Sequence, residues 1–503
     1  MKTFDSIVIG SGPSSEPVLF HLSKTNLKCL VVDSGDLNQS EKDFKGIFNS
    51  KKNYKLSPKQ ILNKFKWIDS NLFKKLNDFL FLRCKKFCYA YSFMSGGLSN
   101  SWGGGVSEWP IEEIKKTTSL NTKKVLNSYK AIRERLLIKK RNSFSKVSDF
   151  ADTLLKIRNK GISFSPAEFF LEKDFKEKEN NSLFNQNLIW NSKNTIKSYI
   201  IDSNNLEYKS NTKVLYVNKK KNNIWEICCK KKGNIFFIQT KSIILCAGTI
   251  NSACLAFSAT KQKKINLKIN HNNLFIVPIF SLRNKIKSLS KGFLEIPELT
   301  WQEKIKNKSN ITYGSSGYFI NSSFIIEGLR KKFPFFKNNL LTKIISLFLS
   351  RLGFITVFVP ANRSKINLEL KKFKFGRKSK IYATLSNESD LVKIKSEQLK
   401  IIEKLKKFLP ENTYLIRFLK RSVITGGDIH YSSSLSDALG KNKLLNTSPI
   451  GEINNLPLIF SADPSRLAYL SSRPHTFTSM AITDSSMPKI IEKILCSKIH
   501  SQE

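Results

Sequence analysis

Side chains able to exchange protons near neutral pH are scarce in this 503-residue chain, which contains only five histidines. Three of them lie in the C-terminal part of the chain: His430, His475 and, in the tail, His500. Of these, His430 and His475 are the candidates for chemistry. An imidazole with an ordinary pKa of about 6.5 is mostly neutral at cellular pH, so it can accept a proton from a hydroxyl group. A lone histidine is more often structural, and we predict that role for His21, His271 and His500. Whether the other two act as a pair depends on the elements that position them.

The N-terminal residues predict a strand, a glycine turn, a helix and a second strand. The apolar run from Ser6 to Ile9 precedes the glycines, and residues from Pro13 to Thr25 have helical spacing. The apolar face of this helix consists of Val18, Leu19 and Leu22. A second strand of the buried type, CLVVDSG, then reaches Asp33. This order of elements is the βαβ unit of a dinucleotide-binding fold.

The turn itself reads Gly10-x-Gly12-x-x-Ser15, a GxGxxG fingerprint whose third glycine is replaced by another small residue. Gly10 permits the tight turn, and Gly12 lets the backbone approach a pyrophosphate at the positive end of the helix. Asp33 is placed to accept hydrogen bonds from a ribose. Glycines in a turn are weak evidence alone, but in this order of elements they predict nucleotide binding.

A second glycine-dense segment, GGLSNSWGGGV at residues 96–106, has five glycines among eleven residues. So many residues without a Cβ atom indicate a backbone that lies against something flat or passes through turns with positive φ. A flexible loop is the alternative interpretation, but flexibility alone does not explain Trp102 in the middle. We refer to residues 96–106 as the glycine loop.

Short strands dominate the sequence from Lys213 onward. The runs KVLYV, IWEICC, IFFIQ and SIILCAGT are separated by turns or directly adjoin one another. They predict a β-meander that leads back into a buried strand. Simple nicotinamide-dependent domains do not usually need such a meander, whereas the FAD-type version of the fold is similar to it.

Together these motifs resemble those of the glucose–methanol–choline oxidoreductases. The glycine loop is similar to the family's GG-x-S-type loop, SIILCAGTINSACL to its AG-x-x-x-S segment, and SADPSRL to a stretch ending in V-x-D-x-S. GGDIHYSSS resembles the segment that supplies the principal active-site histidine, and SSRPHTFTSMA resembles the helix start beside the second. The resemblance covers both ends of the chain and the meander, whereas residues 266–424 match nothing that we can place.

The resemblance implies an FAD-dependent oxidoreductase that oxidises the CH–OH group of an alcohol or sugar, with His430 and His475 beside the flavin. It also implies FAD contacts beyond those of the fingerprint, at Gly96, Gly97, Trp102, Gly103, Gly104, Val214, Gly248, Ser252 and Asp463. The glycine loop would line the flavin, Asp463 would approach its ribityl or pyrophosphate, and the remaining three would lie at the adenine end. A carbohydrate is the first substrate class to consider, and the sequence does not identify the electron acceptor.

The predicted fold class is α/β, with an FAD-binding Rossmann-like domain that contains a β-meander and a second α+β substrate domain built on a mostly antiparallel sheet. We assign residues 1–150, 196–265 and 425–503 to the FAD-binding domain, 151–195 to a connecting segment and 266–424 to the substrate domain. In the latter, LFIVPIF, ITVFVPA and INLEL predict strands. Residues from Leu391 to Phe408 predict a helix whose apolar positions are Ile394, Leu399, Ile402 and Leu405.

The chain is strongly basic, with 85 Lys and Arg residues against 39 Asp and Glu and a net charge of +46. Such a balance ordinarily suggests nucleic acid or an anionic membrane face. Because the lysines are scattered in short runs and no nucleic-acid-binding motif accompanies them, we favour a coding bias and expect no nucleic-acid partner. The alternative is a catalytically degenerate flavin fold that serves as a basic module binding membrane surfaces or nucleic acid.

The eight cysteines show no metal-ligand spacing, so we predict no metal site and a reducing compartment. A strand begins almost at the first residue, which leaves no room for a signal peptide. We therefore expect a cytoplasmic protein. The apolar stretch from Leu340 to Pro360 is interrupted by charges, which argues against a spanning helix. An amphipathic helix peripheral to the inner membrane face remains an alternative for that stretch.

Overall fold

The computed structural model describes residues 3–38, 66–100, 102–140, 143, 149–157, 161–172, 189–220, 224–282, 298–303, 313–318, 351–359, 366–375, 378–436 and 444–499. Its α-helices are Ser15–Leu22, Ile111–Thr117, Thr122–Arg135, Asp149–Lys156, Ser192–Asp202, Thr249–Ala259, Leu391–Lys406 and Thr476–Ile499. No helix within these ranges is both long and apolar enough to cross a bilayer.

The first sheet is the nucleotide-binding type of sheet that the N-terminal motif predicts. Its strands lie in the order Leu206–Lys209, Cys29–Val32, Thr3–Ile9, Asn234–Leu245, Trp225–Lys231 and Lys213–Lys219, with Ile459–Ser461 beside Asn234–Leu245. The N-terminal strand pairs in parallel with its neighbours on both sides. The first helix buries Val18, Leu19 and Leu22 completely, as predicted.

The predicted meander forms the antiparallel half of this sheet. The runs IFFIQ and SIIL, which we predicted as separate strands, form one strand of 12 residues, Asn234–Leu245. Its first half pairs with the meander and its second half with the N-terminal strand, so one strand joins the two halves of the sheet.

Two further sheets are almost entirely antiparallel. The second sheet has the order Tyr431–Ser432, Lys264–His271, Ile366–Phe375, Lys378–Asn387, Leu80–Lys85 and Lys74–Lys75. The third has the order Thr413–Leu415, Asn273–Ser281, Leu352–Val359, Tyr313–Tyr318, Leu299–Glu303 and Ile162–Pro166, with Arg421–Ser422 beside Asn273–Ser281. Smaller sheets combine Gly105–Val106, Glu168–Leu171 and Leu137–Lys140, and Lys66–Ile68 with Tyr89–Tyr91.

These sheets confirm the predicted fold class, an FAD-binding Rossmann-like sheet with a meander joined to a mostly antiparallel substrate part. The runs LFIVPIF and INLEL lie in strands Asn273–Ser281 and Ile366–Phe375, and ITVFVPA lies in Leu352–Val359 except for its last two residues, which are outside the described residues. The predicted domain limits stay a prediction. Strand Leu80–Lys85 pairs with Lys378–Asn387 in the second sheet, although the two segments are far apart in sequence.

The predicted helix from Leu391 onward ends at Lys406, and one of its predicted core positions was wrong. Leu399 is 54% exposed, whereas Ile394, Ile402 and Leu405 are buried. Because successive residues turn by about 100°, Leu399 lies roughly 140° around the helix from Ile394. The buried stripe instead includes Gln398 and Ile401.

The candidate amphipathic stretch from Leu340 to Pro360 lies mostly outside the described residues. Its described part contains the strand Leu352–Val359. An amphipathic helix is therefore wrong for that part, because Ile355, Val357 and Val359 alternate into the core of the third sheet.

Candidate active site

The fingerprint turn joins the N-terminal strand to the first helix, as predicted. Gly10 has a φ of +100°, and a Cβ atom there would lie 2.5 Å from the carbonyl oxygen of Cys246. Only glycine fits this position, because both the backbone conformation and the close approach exclude a side chain. Ser15 is fully buried, and its hydroxyl donates to the Gly12 carbonyl oxygen at 2.7 Å. Ser15 therefore stabilises the turn from behind.

Asp33 directly follows the second strand, Cys29–Val32, and borders a cavity at the carboxyl edge of the first sheet. Its Oδ1 accepts a hydrogen bond from the Gly35 amide at 2.6 Å. Burial raises the pKa of this carboxyl to about 6, although hydrogen bonds from Gly35 and Ser11 oppose the rise. A buried carboxylate of this kind gains from donors supplied by a ligand, such as ribose hydroxyls.

We expect Asp33→Asn to weaken FAD binding about ten- to a hundredfold, because hydrogen bonds to a charged acceptor contribute roughly 1.5–3 kcal/mol. Donors from the ribose favour the ionised carboxyl, so FAD affinity of the unsubstituted protein should fall as the pH drops below the pKa of about 6. The Asp33→Asn variant should lose that pH dependence. Titration of FAD into FAD-free protein across pH measures both effects. Equal affinities at every pH would remove Asp33 from the binding site.

The glycine loop lies directly against the fingerprint turn. The Gly96 amide donates to the Ser11 hydroxyl at 2.8 Å, and a Cβ atom on Gly97, whose φ is +57°, would lie 3.4 Å from the Cα atom of Gly12. The two glycine motifs are thus in contact, although more than 80 residues separate them in sequence. Of the predicted loop contacts, Gly97 alone borders the cavity.

The other predicted residues of the glycine loop do not border the cavity: three of them lie against protein groups, and Gly103 lies beside open space. A Cβ atom on Gly96 would meet the Asn191 side chain, one on Gly104 would meet Ile189, and one on Gly103 would meet nothing within 4 Å. Trp102 donates from its indole nitrogen to the Trp190 carbonyl oxygen at 2.9 Å and stacks on Phe170. The flavin contacts predicted for these four residues stay a prediction.

The cavity between the two glycine motifs has a volume of about 220 Å³. Seven of the predicted cofactor residues border it: Gly10, Gly12, Asp33, Gly97, Val214, Gly248 and Asp463. An aromatic wall of Tyr89, Tyr91 and Phe93 faces them. A glycine turn in which Gly10 excludes a Cβ atom, a buried carboxylate at the sheet edge and a wall of aromatic rings suit the phosphates, ribose and flat rings of a dinucleotide, so we call this cavity the dinucleotide cavity.

Asp463 and Ser252 form one buried unit at the start of helix Thr249–Ala259. One Asp463 oxygen accepts from the Ser252 hydroxyl at 2.5 Å and from the Gly248 amide at 2.8 Å, and the other accepts from the Ser465 amide at 2.9 Å. Burial raises the pKa of Asp463 despite these donors. Asp463 borders the cavity, while Ser252 lies behind it and orients the carboxylate.

The two candidate histidines lie side by side. The ring centroids of His430 and His475 are 5.1 Å apart, and the ring planes are nearly perpendicular, at 87°. The Nδ1 atom of each ring is buried, and it has no hydrogen-bond partner among the described residues. His430 also contacts the ring of Phe358, from the third sheet, at a centroid distance of 5.2 Å. The structure therefore places His430 and His475 beside each other, and their predicted role beside the flavin stays a prediction.

Sequence reasoning missed two residues behind this pair, Asp428 and His271. Asp428 Oδ2 lies 3.5 Å from His430 Nδ1, and Asp428 Oδ1 is hydrogen-bonded to His271 Nε2. Both partners are almost fully buried, with 1% and 2% of their side chains exposed. We predicted His271 as an ordinary residue of a turn, but it ends strand Lys264–His271 and its Nε2 also lies 2.9 Å from the Gly426 amide. The one available signal was the Asp two residues before His430.

The backbone between Asp428 and His430 is strained. Ile429 has a φ of +64°, a conformation that β-branched residues rarely adopt. Such conformations cost about 1–3 kcal/mol and concentrate at functional sites, where surrounding contacts impose them. The neighbouring Tyr431 supplies such contacts, since its hydroxyl donates to the Gly426 carbonyl oxygen at 2.5 Å and accepts from the Ala90 amide at 3.2 Å.

Burial keeps both imidazoles neutral. Desolvation lowers the pKa of His430, while the Asp428 carboxylate raises it and His271 lowers it further. The pKa of His475 lies well below its ordinary value, first because of burial and second because His430 is close. A neutral His430 next to a carboxylate is suited to accept a proton.

The histidine pair borders the far end of the glycine loop. A Cβ atom on Gly105 would lie 3.9 Å from Pro474, the residue before His475, and Trp109 donates to the Pro474 carbonyl oxygen at 3.0 Å. The His475 carbonyl accepts the first hydrogen bond of the C-terminal helix, from Ser479 at 2.8 Å. The dinucleotide cavity reaches Tyr431, next to His430, but neither imidazole borders it.

The fold has a two-part architecture, with a Rossmann-like sheet of the FAD-binding type joined to a mostly antiparallel second part. Pyridoxine 4-oxidase from Mesorbium loti has a similar structure, with a TM-score of 0.61 over 97% of this chain and 99% of that one at 10% sequence identity. This likeness shows the fold predicted from the resemblance to the glucose–methanol–choline oxidoreductases. No protein-family model matches the sequence. No curated protein matches it either.

Proposed function

We propose that this protein is an FAD-dependent oxidoreductase that oxidises a CH–OH group with a histidine base. The proposal rests mainly on the two neutral imidazoles, whose centroids are 5.1 Å apart at the end of the glycine loop. It is also supported by the fold shared with a protein named as an oxidase of pyridoxine. When bound, FAD would accept the hydride that leaves the carbinol carbon.

FAD would be held by the residues that border the dinucleotide cavity. Gly10, Gly12 and Gly97 border the cavity and leave room for the pyrophosphate. At Gly10 and Gly97 the positive φ would also strain any other residue, whereas a Cβ atom at Gly12 would meet no atom of another segment closer than 4.0 Å. Asp33 accepts hydrogen bonds from the ribose, and the Asp463 carboxylate limits the cavity on the opposite side. Val214 and Gly248 border the same cavity.

His430 accepts the hydroxyl proton of the substrate, and His475 donates a hydrogen bond to the same oxygen. The hydroxyl must lose its proton as the hydride leaves, because the carbonyl product would otherwise be protonated and positively charged. Burial favours the neutral form of His430, so the base is ready at cellular pH. Once protonated, the imidazolium is stabilised by the Asp428 carboxylate, 3.5 Å from its Nδ1.

Asp428 and His271 act as positioning residues for this base. The Asp428 carboxylate contacts the imidazoles of His271 and His430. The strained backbone at Ile429 fixes the Asp428 side chain relative to His430. A buried carboxylate beside Nδ1, 3.5 Å away and not hydrogen-bonded to it within the described residues, leaves Nε2 as the reactive nitrogen. The buried Nδ1 of His430 fits this orientation.

The absorption spectrum of the purified chain tests the proposal. We expect a yellow protein with the two visible bands of oxidised flavin, and bleaching of those bands when a carbohydrate or alcohol substrate is added without oxygen. A colourless protein that binds anionic lipid vesicles or nucleic acid with strong salt dependence would favour the degenerate alternative. A yellow protein that no alcohol or sugar bleaches would support the fold but contradict the reaction.

A further inference from the structure

A second cavity, of about 370 Å³, lies between the end of the glycine loop and the edge of the third sheet. We call it the polar pocket. Its polar side chains include Glu108, Arg133, Lys140, Ser163, Gln302 and Arg473. None of these residues borders the dinucleotide cavity.

The charges in the polar pocket do not cancel. Arg133 is paired with both carboxylates of the pocket, since its nitrogens lie 2.8 Å from Glu108 and 2.8 Å from Glu168. Within the part of the chain that the structure describes, no carboxylate lies within ion-pair distance of Arg473 or Lys140, although the Arg473 charge acts on the buried Glu113 carboxyl outside the pocket lining and opposes the rise of its pKa. The pocket therefore keeps a net positive charge that favours an anionic ligand.

Two buried polar atoms of residues that line this pocket, the Arg473 Nε and the Ser163 hydroxyl, have no hydrogen-bond partner among the residues that the structure describes. Buried polar groups are nearly always hydrogen-bonded, so an unpaired donor beside a cavity indicates a ligand or water. The Arg473 guanidinium is nevertheless fixed, because it donates to the Glu108 carbonyl oxygen at 3.0 Å and to the Gln302 side chain. A fixed guanidinium with a free donor is suited to a carboxylate or phosphate group.

The polar pocket and the histidine pair share one face of the third sheet. Gln302 is directly opposite Ser163 in the pairing of their two strands. On its other side, across strand Tyr313–Tyr318, Gln302 is in line with Phe358, and Phe358 contacts His430. Paired residues project from the same face, and strands are about 4.8 Å apart, so Gln302 lies roughly 10 Å from the position of Phe358. Arg473 also precedes His475 by two residues.

We propose that the polar pocket binds the anionic group of an acidic carbohydrate, with Arg473 and Ser163 contacting a carboxylate or phosphate, about two strand spacings along the third sheet from Phe358, the residue that contacts His430. This inference rests on the proposed function, since it assigns the substrate class of the same site. The separation suits an acidic disaccharide or a longer chain. Hydroxyl and amide side chains at Ser165, Thr300 and Gln302 provide partners for the sugar hydroxyls.

Binding should be measured by calorimetry on the FAD-loaded protein, because binding does not require turnover. The probes are digalacturonate, a disaccharide phosphate and neutral lactose. We expect an acidic probe to bind at least tenfold more tightly than lactose, and Arg473→Gln to weaken that binding about ten- to a hundredfold. Ser163→Ala should weaken it less, and Arg473→Lys should restore part of it. Preference for one acidic probe distinguishes carboxylate from phosphate.

Two controls separate this proposal from the reaction itself. Arg417→Gln removes another arginine, 46% exposed and paired with Glu403, and should leave binding unchanged. His430→Ala should keep the preference for acidic sugars while losing turnover, so the subsite can survive even if the proposed chemistry fails. If acidic and neutral disaccharides bind equally, if none binds, or if Arg473→Gln has no effect on any of them, the proposed subsite is wrong.

Discussion

The His430→Ala variant should retain bound FAD, but its turnover rate should be about a hundred- to ten-thousandfold lower, because a positioned general base usually contributes a factor of this size. The substitution removes the group that accepts the hydroxyl proton but leaves the dinucleotide cavity intact, since His430 does not border that cavity. Anaerobic stopped-flow measurement of flavin bleaching isolates this step. The visible spectrum of the variant reports separately whether FAD is still bound.

His21→Gln is the matched control, because His21 and His430 have similar side-chain exposure, 24% and 20%. His21 lies on the first helix, far in sequence from the histidine pair, and is paired with Asp484 of the C-terminal helix. The loss of the His21 imidazole should leave the bleaching rate unchanged. If His430→Ala bleaches as fast as the unsubstituted protein, His430 has no part in the reaction. If it loses FAD, the residue contributes to the fold of the site.

Asp428→Asn should slow bleaching on the order of a hundredfold, the cost of a catalytic group displaced by about an ångström, with little change in KM. Asp428 raises the pKa of His430, whereas burial and the neighbouring His271 lower it. His475 also faces His430. Removing the negative charge lowers the His430 pKa further and makes it a weaker base. Since activity needs neutral His430, the acid limb of the pH–rate profile should move to lower pH.

The shift in pH profile separates positioning from simple loss of stability. A merely structural role would lower the amount of folded protein without moving the acid limb. Asp428→Glu keeps the charge and should recover part of the rate, whereas His271→Gln should slow bleaching less than Asp428→Asn does. An unchanged pH profile in Asp428→Asn would show that the carboxylate does not act on His430.

Local sequence predicted the parts of the structure that local physics determines. Gly10 has positive φ and no room for a Cβ atom, and the short strands of the meander follow from apolar runs bounded by turns. Asp33 directly follows a buried strand and therefore lies at the edge of the sheet. These features depend on a few consecutive residues, so they can be recognised without knowledge of the rest of the fold.

Contacts between distant segments could not be predicted in the same way. His271 and Asp428 are 157 residues apart, and a histidine in a polar run has no property that reveals a buried carboxylate partner. Ser252 was predicted as a cofactor residue, but its hydroxyl bonds to Asp463, 211 residues away. The polar pocket likewise combines the glycine loop, two strands of the third sheet and Arg473, which only the tertiary fold brings together.

An experimental structure of the protein with FAD bound tests the central claim most directly. We expect the adenosine diphosphate part beside Gly10, Gly97 and Asp33, and the reactive nitrogen of the central flavin ring facing His430 and His475 across a gap that one carbinol carbon can fill. The measured quantity is the distance from that nitrogen to the nearer imidazole. A flavin ring that lies on the opposite side of the glycine loop from both histidines would contradict the proposed reaction.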